Sequence, residues 1–349
     1  MVLDMSALTQ SSKPRLRSRP LAATLILIGG AALLLFAISL SISVGAADIK
    51  LATVWDALFH FQAEQTQHQI IMELRLPRAL AAAMIGAALA VAGAIMQGMT
   101  RNPMADSGLL GLNSGAGLAL AICFALMPGT PFLLTMLYSF IGAGLGAGLV
   151  FGIGSLTKGG LSPVRLTLAG AAVSMLLTAI SEGIAIYFKI GQDLAFWYAG
   201  AIAGANWLQI KMVSPWVFAG LLCALLLSRS ITLLSLGEEV ATGLGQRTGL
   251  IKVLGMIIVL ILAGSAVSIV GAIGFVGLMV PHVARFLVGV DYRWVIPSSA
   301  LLGSLLMVFA DILARLVHPP HETPIGALIA VIGVPFFLYL AMKQKGGLE

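Results

Sequence analysis

The sequence predicts an all-α polytopic membrane protein of about ten transmembrane helices. Three observations carry that expectation. Hydrophobic residues make up 59% of the 349 and charged residues only 10%, where soluble domains carry about 25% charged residues. Apolar runs long enough to cross a hydrocarbon layer of about 30 Å, which takes roughly 20 residues of helix, recur from end to end. Those runs are continuous rather than alternating, which excludes a closed barrel and leaves helices as the structures that satisfy the backbone in lipid.

Taken in order, the expected spans are 21–44, 79–99, 109–127, 132–156, 164–188, 213–230, 251–271, 273–290, 295–316 and 325–342. They form one transmembrane domain, 21–342, between short tails, 1–20 and 343–349. The first span follows the basic stretch KPRLRSRP. At about 24 residues it exceeds the 7–15-residue apolar region of a secretory signal and is read as a retained helix. The second span ends in GMTRNPMAD, residues 98–106, where Asn102 and Pro103 break the helix. Proline lacks the amide hydrogen and disfavours α geometry in the residue before it. A non-helical backbone at that place either lines a wet cavity, as a gate would, or makes an ordinary interhelical turn. Glycines at 142, 144, 146 and 148 in the fourth span read as close helix packing. The eighth span is the shortest. Only about nine residues separate Pro281 from the polar turn at Asp291, so Pro281 is expected at depth, as a break in a discontinuous segment.

Basic residues orient the chain. With the N-terminus in the cytoplasm, thirteen of the 20 lysines and arginines fall inside and six outside, with Arg285 unassigned. Both termini are therefore expected in the cytoplasm. The net charge of +6 is mostly this bias, and no basic groove with stacking aromatics supports nucleic-acid binding. Cys123 and Cys223 lie in apolar spans and read as inert thiols.

An internal repeat sets the topology. Laying 86–105 over 264–283 aligns Gly86 with Gly264, Ala88 with Ala266, Gly-Ala-Ile 93–95 with Gly-Ala-Ile 271–273, and Pro103 with Pro281. About five helices separate the copies, so the second runs through the membrane in the opposite sense. Inverted repeats of this kind are typical of transporters that expose a central path alternately to each side.

Other chemistries are poorly supported. An intramembrane hydrolase is suggested by Gly111-Leu-Asn-Ser-Gly115, yet His60, His68, His318 and His321 fall in outer loops, away from any serine that needs a base. His282, beside a helix break, reads as a structural residue. A transporter driven by an ion gradient would place carboxylates along its path; Glu182 and Asp311 are the acidic residues within the spans, and Asp311 stands one turn from Arg315. No G-x-x-x-x-G-K-[ST] phosphate loop is present.

RLPRALAAAMIGAALAVAGAIMQGMTRNPMA (75–105), LGEEVATGLG (236–245), GAIGFVGLMVPHVAR (271–285) and ADILAR followed by ETPIGALIAVIGVP (310–335) together resemble the permease subunits of type II ABC importers, the FecCD/BtuC-like family for iron–siderophore, haem and cobalamin uptake. The resemblance covers nearly the whole chain after about residue 50, and four motifs in order make it specific. It implies a BtuC-like permease fold in the bacterial cytoplasmic (inner) membrane. There two permease subunits, identical or paralogous, enclose a central path, two cytoplasmic ABC ATPases drive it, and an extracytoplasmic solute-binding protein delivers the cargo. It also implies no cofactor on this chain, with ATP and magnesium bound by the ATPases.

By resemblance, Leu236, Gly237, Glu238, Glu239, Ala241, Gly243 and Gly245 belong to the coupling helix, about 236–246, that docks on an ATPase. Arg75, Arg78 and Arg315 match the arginines that receive carboxylates of the binding protein; planar guanidinium forks suit that task. The local alternative is a modest surface bridge, of Arg315 with Asp311 or of Arg75 with Glu73. Asn102, Pro103 and Met104 match the cytoplasmic gate. Its other half is carried over only as Ser162, because Pro163 stands where relatives often have a small hydroxyl residue. Gln97, one turn above the gate, either faces the translocation path or hydrogen-bonds a neighbouring helix. Reversing Arg75, Arg78 and Arg315 together to glutamate is expected to abolish uptake and leave expression intact. Iron–siderophore cargo is chosen because that branch is the most populous; no residue decides between it and haem or cobalamin.

Overall fold

The computed structural model describes residues 18–45, 49–156, 163–200, 202–318 and 321–345. Each of the ten expected spans has a helix there. Seven are long and apolar enough to cross a membrane, and three shorter apolar helices complete the set. The helices are α1 (Pro20–Ser43), α2 (Leu51–Phe59), α3 (Thr66–Gln69), α4 (Leu76–Thr100), α5 (Leu112–Leu126), α6 (Phe132–Leu156) and α7 (Pro163–Phe188). After them come α8 (Gly191–Ala199), α9 (Trp207–Leu236), α10 (Glu238–Gly243), α11 (Thr248–Val270), α12 (Val276–Val288), α13 (Tyr292–Leu316) and α14 (Ile325–Lys345). Most of the expected tails, and Ser162 of the expected gate, lie outside the described residues.

Hydropathy fixes which runs become helices, and small residues fix how they assemble. α4 is the hub: 89% of its most apolar window is buried, against 11% for α1 at the periphery. Lipid supplies no hydrophobic force between helices, so association rests on close approach and polar contacts. α4 provides the close approach with glycine. Gly86 lies against the carbonyl of Gly303 on α13, and Gly93 against that of Gly277 on α12. α5 and α6 meet the same way at Gly115, Gly142 and Gly146.

Two ends of the bundle can be told apart. At the near end, Ser18 bridges Gly289, Arg19 N–H donates to the Val288 carbonyl at 3.0 Å, and Tyr292 N–H donates to Thr232 Oγ1 at 3.0 Å. The start of α1 therefore shares that end with the ends of α9 and α12. At the far end the close of α1 meets the start of α4 and the close of α13. α11 runs antiparallel to α4, its Gly255 facing Met99, as the inverted repeat requires.

The repeat is not exact in its breaks. In the first copy Pro103 follows the end of α4, whereas Pro281 sits inside α12. α12 has 13 residues, about 20 Å of helix at 1.5 Å per residue, and so falls short of a full crossing, as the spacing of Pro281 and Asp291 suggests. The connection before it carries two left-handed residues, Gly271 (φ 77°) and Phe275 (φ 66°). α9 is longer than its apolar run because Asn206 caps it early, its side chain accepting from Gln209 N–H at 3.1 Å.

Candidate functional site

The near end holds the turn that interrupts the apolar sequence. α4 stops at Arg101, which adopts the left-handed conformation (φ 52°). Asn102 then folds the chain back on itself: its Oδ1 accepts from Met104 N–H at 2.9 Å, and its carbonyl accepts from Ala105 N–H at 3.1 Å. Such side-chain turns are the ordinary use of asparagine after a helix. Asp106 caps the 3-10 turn Ser107–Leu110 by accepting from Ser107 N–H at 2.8 Å. Asn102, Pro103 and Met104 thus form one compact, partly exposed corner.

One turn up α4, Gln97 is 3% exposed. Its Nε2 donates to the carbonyls of Gly277 and Leu278, each at 3.1 Å. Four residues after Gly277 comes Pro281, which has no amide hydrogen to offer that carbonyl. Gln97 fills the vacancy, while its own Oε1 has no protein partner. Of the two sequence readings of this residue, an interhelical bond is what the geometry displays. Gln97→Leu is therefore expected to leave a buried carbonyl unpaired, costing about 1–3 kcal/mol. Thermal unfolding of the purified chain checks this; an unchanged midpoint would remove the bond from the account.

Three arginines, Arg75, Arg78 and Arg315, gather at the far end. Before α4 the chain makes a π-helical turn, Ile70–Arg75. Arg75 Nη1 donates to the carbonyls of Ile42 and Ser43 at 2.7 and 2.8 Å. Arg315 Nη1 donates to those of Ser41 and Val44, both at 2.8 Å. The last turn of α1, whose carbonyls have no helical partner, is thereby capped by two cations, the favourable sign at a C-terminus. Arg78 Nε donates to Asp311 Oδ1 at 2.8 Å, its Nη1 to Glu322 Oε1 at 2.6 Å, and Arg315 Nη2 to Asp311 Oδ2 at 2.7 Å. Asp311 is completely buried, and Arg75 and Arg78 are each 9% exposed. Only the Glu322 side chain, 42% exposed, opens the network to water. The local pairing of Asp311 with Arg315 is present; Glu73, the alternative partner for Arg75, gives way to the end of α1.

Beside the Asn102 corner stands α10, a six-residue helix set between Gly237 (φ 136°) and Gly245 (φ 80°). Ala241 is buried beneath it, while Val240 and Leu244 are 48% and 66% exposed. That apolar tip escaped the sequence reading, which followed the glycines and glutamates. Glu238 Oε1 accepts from Lys252 Nζ at 2.7 Å and from Thr248 Oγ1 at 3.2 Å, tying α10 to α11. The hydrogen bond from Lys252 holds the Glu238 carboxyl below its ordinary value of 4.5. A depressed carboxyl contributes stability that is complete above the ordinary value and is lost as pH falls through the lowered one. The protection of amide hydrogens in α10 and the first turn of α11, relative to their intrinsic exchange rates, is accordingly expected to fall as pH drops below 4.5. The pair is half exposed, so the change is modest; Glu238→Gln should abolish the pH response.

Among the described residues no group of three or more His, Cys, Asp or Glu side chains is placed to hold a metal ion. The arrangement offers polar corners at both ends of a helical bundle. Comparison with known proteins gives it a family. Residues 33–343 match the model of the FecCD transport family. The iron(3+)-hydroxamate import system permease protein FhuB of Bacillus subtilis (strain 168) is 55% identical over 340 residues, 97% of this chain and 88% of that one. The iron-uptake system permease protein FeuB of the same organism is 43% identical, over 93% of this chain and 96% of that one. A solved metal-chelate-type ABC transporter in an inward-facing conformation superposes with a TM-score of 0.79 at 29% identity, covering 91% of this chain and 99% of that one.

Proposed function

The chain belongs to the FecCD transport family, and from that premise we propose that it is the membrane-spanning permease subunit of an ATP-driven importer for ferric siderophores, with hydroxamate complexes the preferred class. The carrying observation is the 55% identity to an iron(3+)-hydroxamate permease over 97% of the chain.

The near end then faces the cytoplasm, in line with the bias of lysine and arginine toward it. There α10, with Leu236, Gly237, Glu238, Glu239, Ala241, Gly243 and Gly245, docks in a groove on a partner ATPase through the exposed Val240 and Leu244. The Asn102–Met104 corner, with Ser162 as the other half of the gate, opens or seals the inner mouth, and Gln97 ties the start of α12 to α4. ATP and magnesium are bound by the ATPases. A second permease subunit, identical or paralogous, completes the path, and the far end receives a binding protein. Arg75, Arg78 and Arg315 serve that docking through the Glu322 rim, where a partner carboxylate competes for Arg78.

Reconstitution tests the reading. With its partner permease, ATPases and binding protein in liposomes, the chain should support accumulation of a ferric hydroxamate only while ATP is supplied inside; alone it should accumulate nothing. Uptake that continues without ATP under a membrane potential would overturn it. Val240→Asp with Leu244→Asp should weaken ATPase association about tenfold or more, because charge on a desolvated apolar contact is costly; co-purification measures it.

A further inference from the structure

α7 carries a feature that packing does not account for. It joins the bundle along one narrow stripe, Val173, Leu177, Ser181 and Ala185, and only 22% of its apolar window is buried. One residue round from that stripe, at intervals of four, stand Ser174, Thr178 and Glu182. The two hydroxyl residues are half-buried and the carboxylate is exposed. Residues four apart share a helix face, so the three form a polar line along the middle of a mostly apolar helix. Glu182 lies about 9 Å short of the far end of α7 at 1.5 Å per residue, and it makes no hydrogen bond or ion pair among the described residues.

An unpaired carboxylate does not face hydrocarbon. Ionisable side chains inside spans turn toward water-filled cavities or pair with one another. Asp311 follows the second course with Arg78 and Arg315. Glu182 has no cation beside it, and the hydroxyls below it continue a wettable line toward the near end. We propose that this line faces the translocation path and that Glu182 is a charge filter there, favouring neutral and cationic ferric complexes over anionic ones. The inference rests on the importer reading above and deepens it. Hydroxamate groups are singly negative and leave a ferric complex close to neutral, whereas doubly negative catecholates leave it strongly anionic. A fixed carboxylate in a low-dielectric mouth repels the second class and admits the first.

The test uses the complete transporter with its binding protein at saturation. The cargoes are three ferric trihydroxamates of one scaffold: neutral, amine-bearing and carboxylate-bearing. Wild type should take up the cationic cargo faster than the anionic one. In Glu182→Gln the ratio of the two rates should fall about five- to tenfold, and in Glu182→Lys it should invert. Thr178→Asp, which adds a second carboxylate to the same line, should widen the ratio by a similar factor. If all three cargoes slow by one common factor in the Glu182 variants, the residue serves assembly and the filter is overturned. A ratio unmoved by every variant overturns it too, while the importer reading stands. Failure of wild type to take up any of the three sinks the importer reading, and the filter with it.

Discussion

Asp311→Ala is expected to destabilise the protein by about 3–5 kcal/mol, the range for removing one side of a buried ion pair. The carboxylate is completely buried and accepts from two arginines that approach it from α4 and α13. Without it, two guanidinium groups face one another with little water between them. Arg78 retains Glu322, and Arg315 retains the carbonyls of α1; neither contact offsets the repulsion. A fall in the thermal midpoint of the purified chain, with a reduced membrane yield, would show this. Glu322→Gln gives the contrast. Its side chain is 42% exposed, so the stability cost should stay within about 1 kcal/mol. A binding-protein titration, not a melting curve, should register its effect. Equal costs at the two positions would refute the network as described.

The same geometry corrects one sequence-based expectation. Reversing Arg75, Arg78 and Arg315 together was expected to spare expression. Their forks hold the last turn of α1 and the Asp311 carboxylate, so three introduced carboxylates would meet carbonyl oxygens and another carboxylate. Loss of the folded protein is the expected result, which makes Glu322 the cleaner probe of docking.

Gly93→Ala should be among the most damaging added methyls at the described glycines, at about 3 kcal/mol or more, the upper end for overpacking. A Cβ there would run into the carbonyl and Cα of Gly277. These are backbone atoms, and no side chain can swing aside. α4 and α12 would have to part, breaking the bonds from Gln97 as they went. Gly148→Ala on α6 is the control, since a Cβ at that position meets nothing within 4 Å; its midpoint should match wild type. A Gly93→Ala protein as stable as the control would mean that the crossing is looser than described.

Much of this architecture is legible in the sequence, for a physical reason. Hydrocarbon demands long apolar helices, so spans announce themselves by composition, and the shortness of α12 follows from counting between Pro281 and Asp291. Asn102 and Pro103 declare the end of α4 through their own backbone chemistry. What stays hidden depends on partners far away in the chain. Arg78 meets Asp311 across 233 positions, and Gln97 meets Gly277 across 180; neither spacing has a local signature. The exposed Val240 and Leu244 are hidden otherwise, because in so apolar a chain two more aliphatic residues raise no signal. α2 and α8 are too short and too mixed in character to stand out.

The π-helical turn at Ile70–Arg75 has a consequence for how length is tolerated there. A wider turn takes an extra residue for the same rotation. Arg75 closes that turn and reaches α1, while Arg78, in the regular helix beyond it, reaches α13. Excising one residue from 70–74 would restore an ordinary coil with the segments on either side kept nearly in phase. Trp207, whose indole N–H donates to the Met72 carbonyl at 2.7 Å, would keep an acceptor near its present place. A single codon deletion here should therefore be more forgiving than one within the regular turns of α4, where each lost residue rotates everything upstream by about 100°.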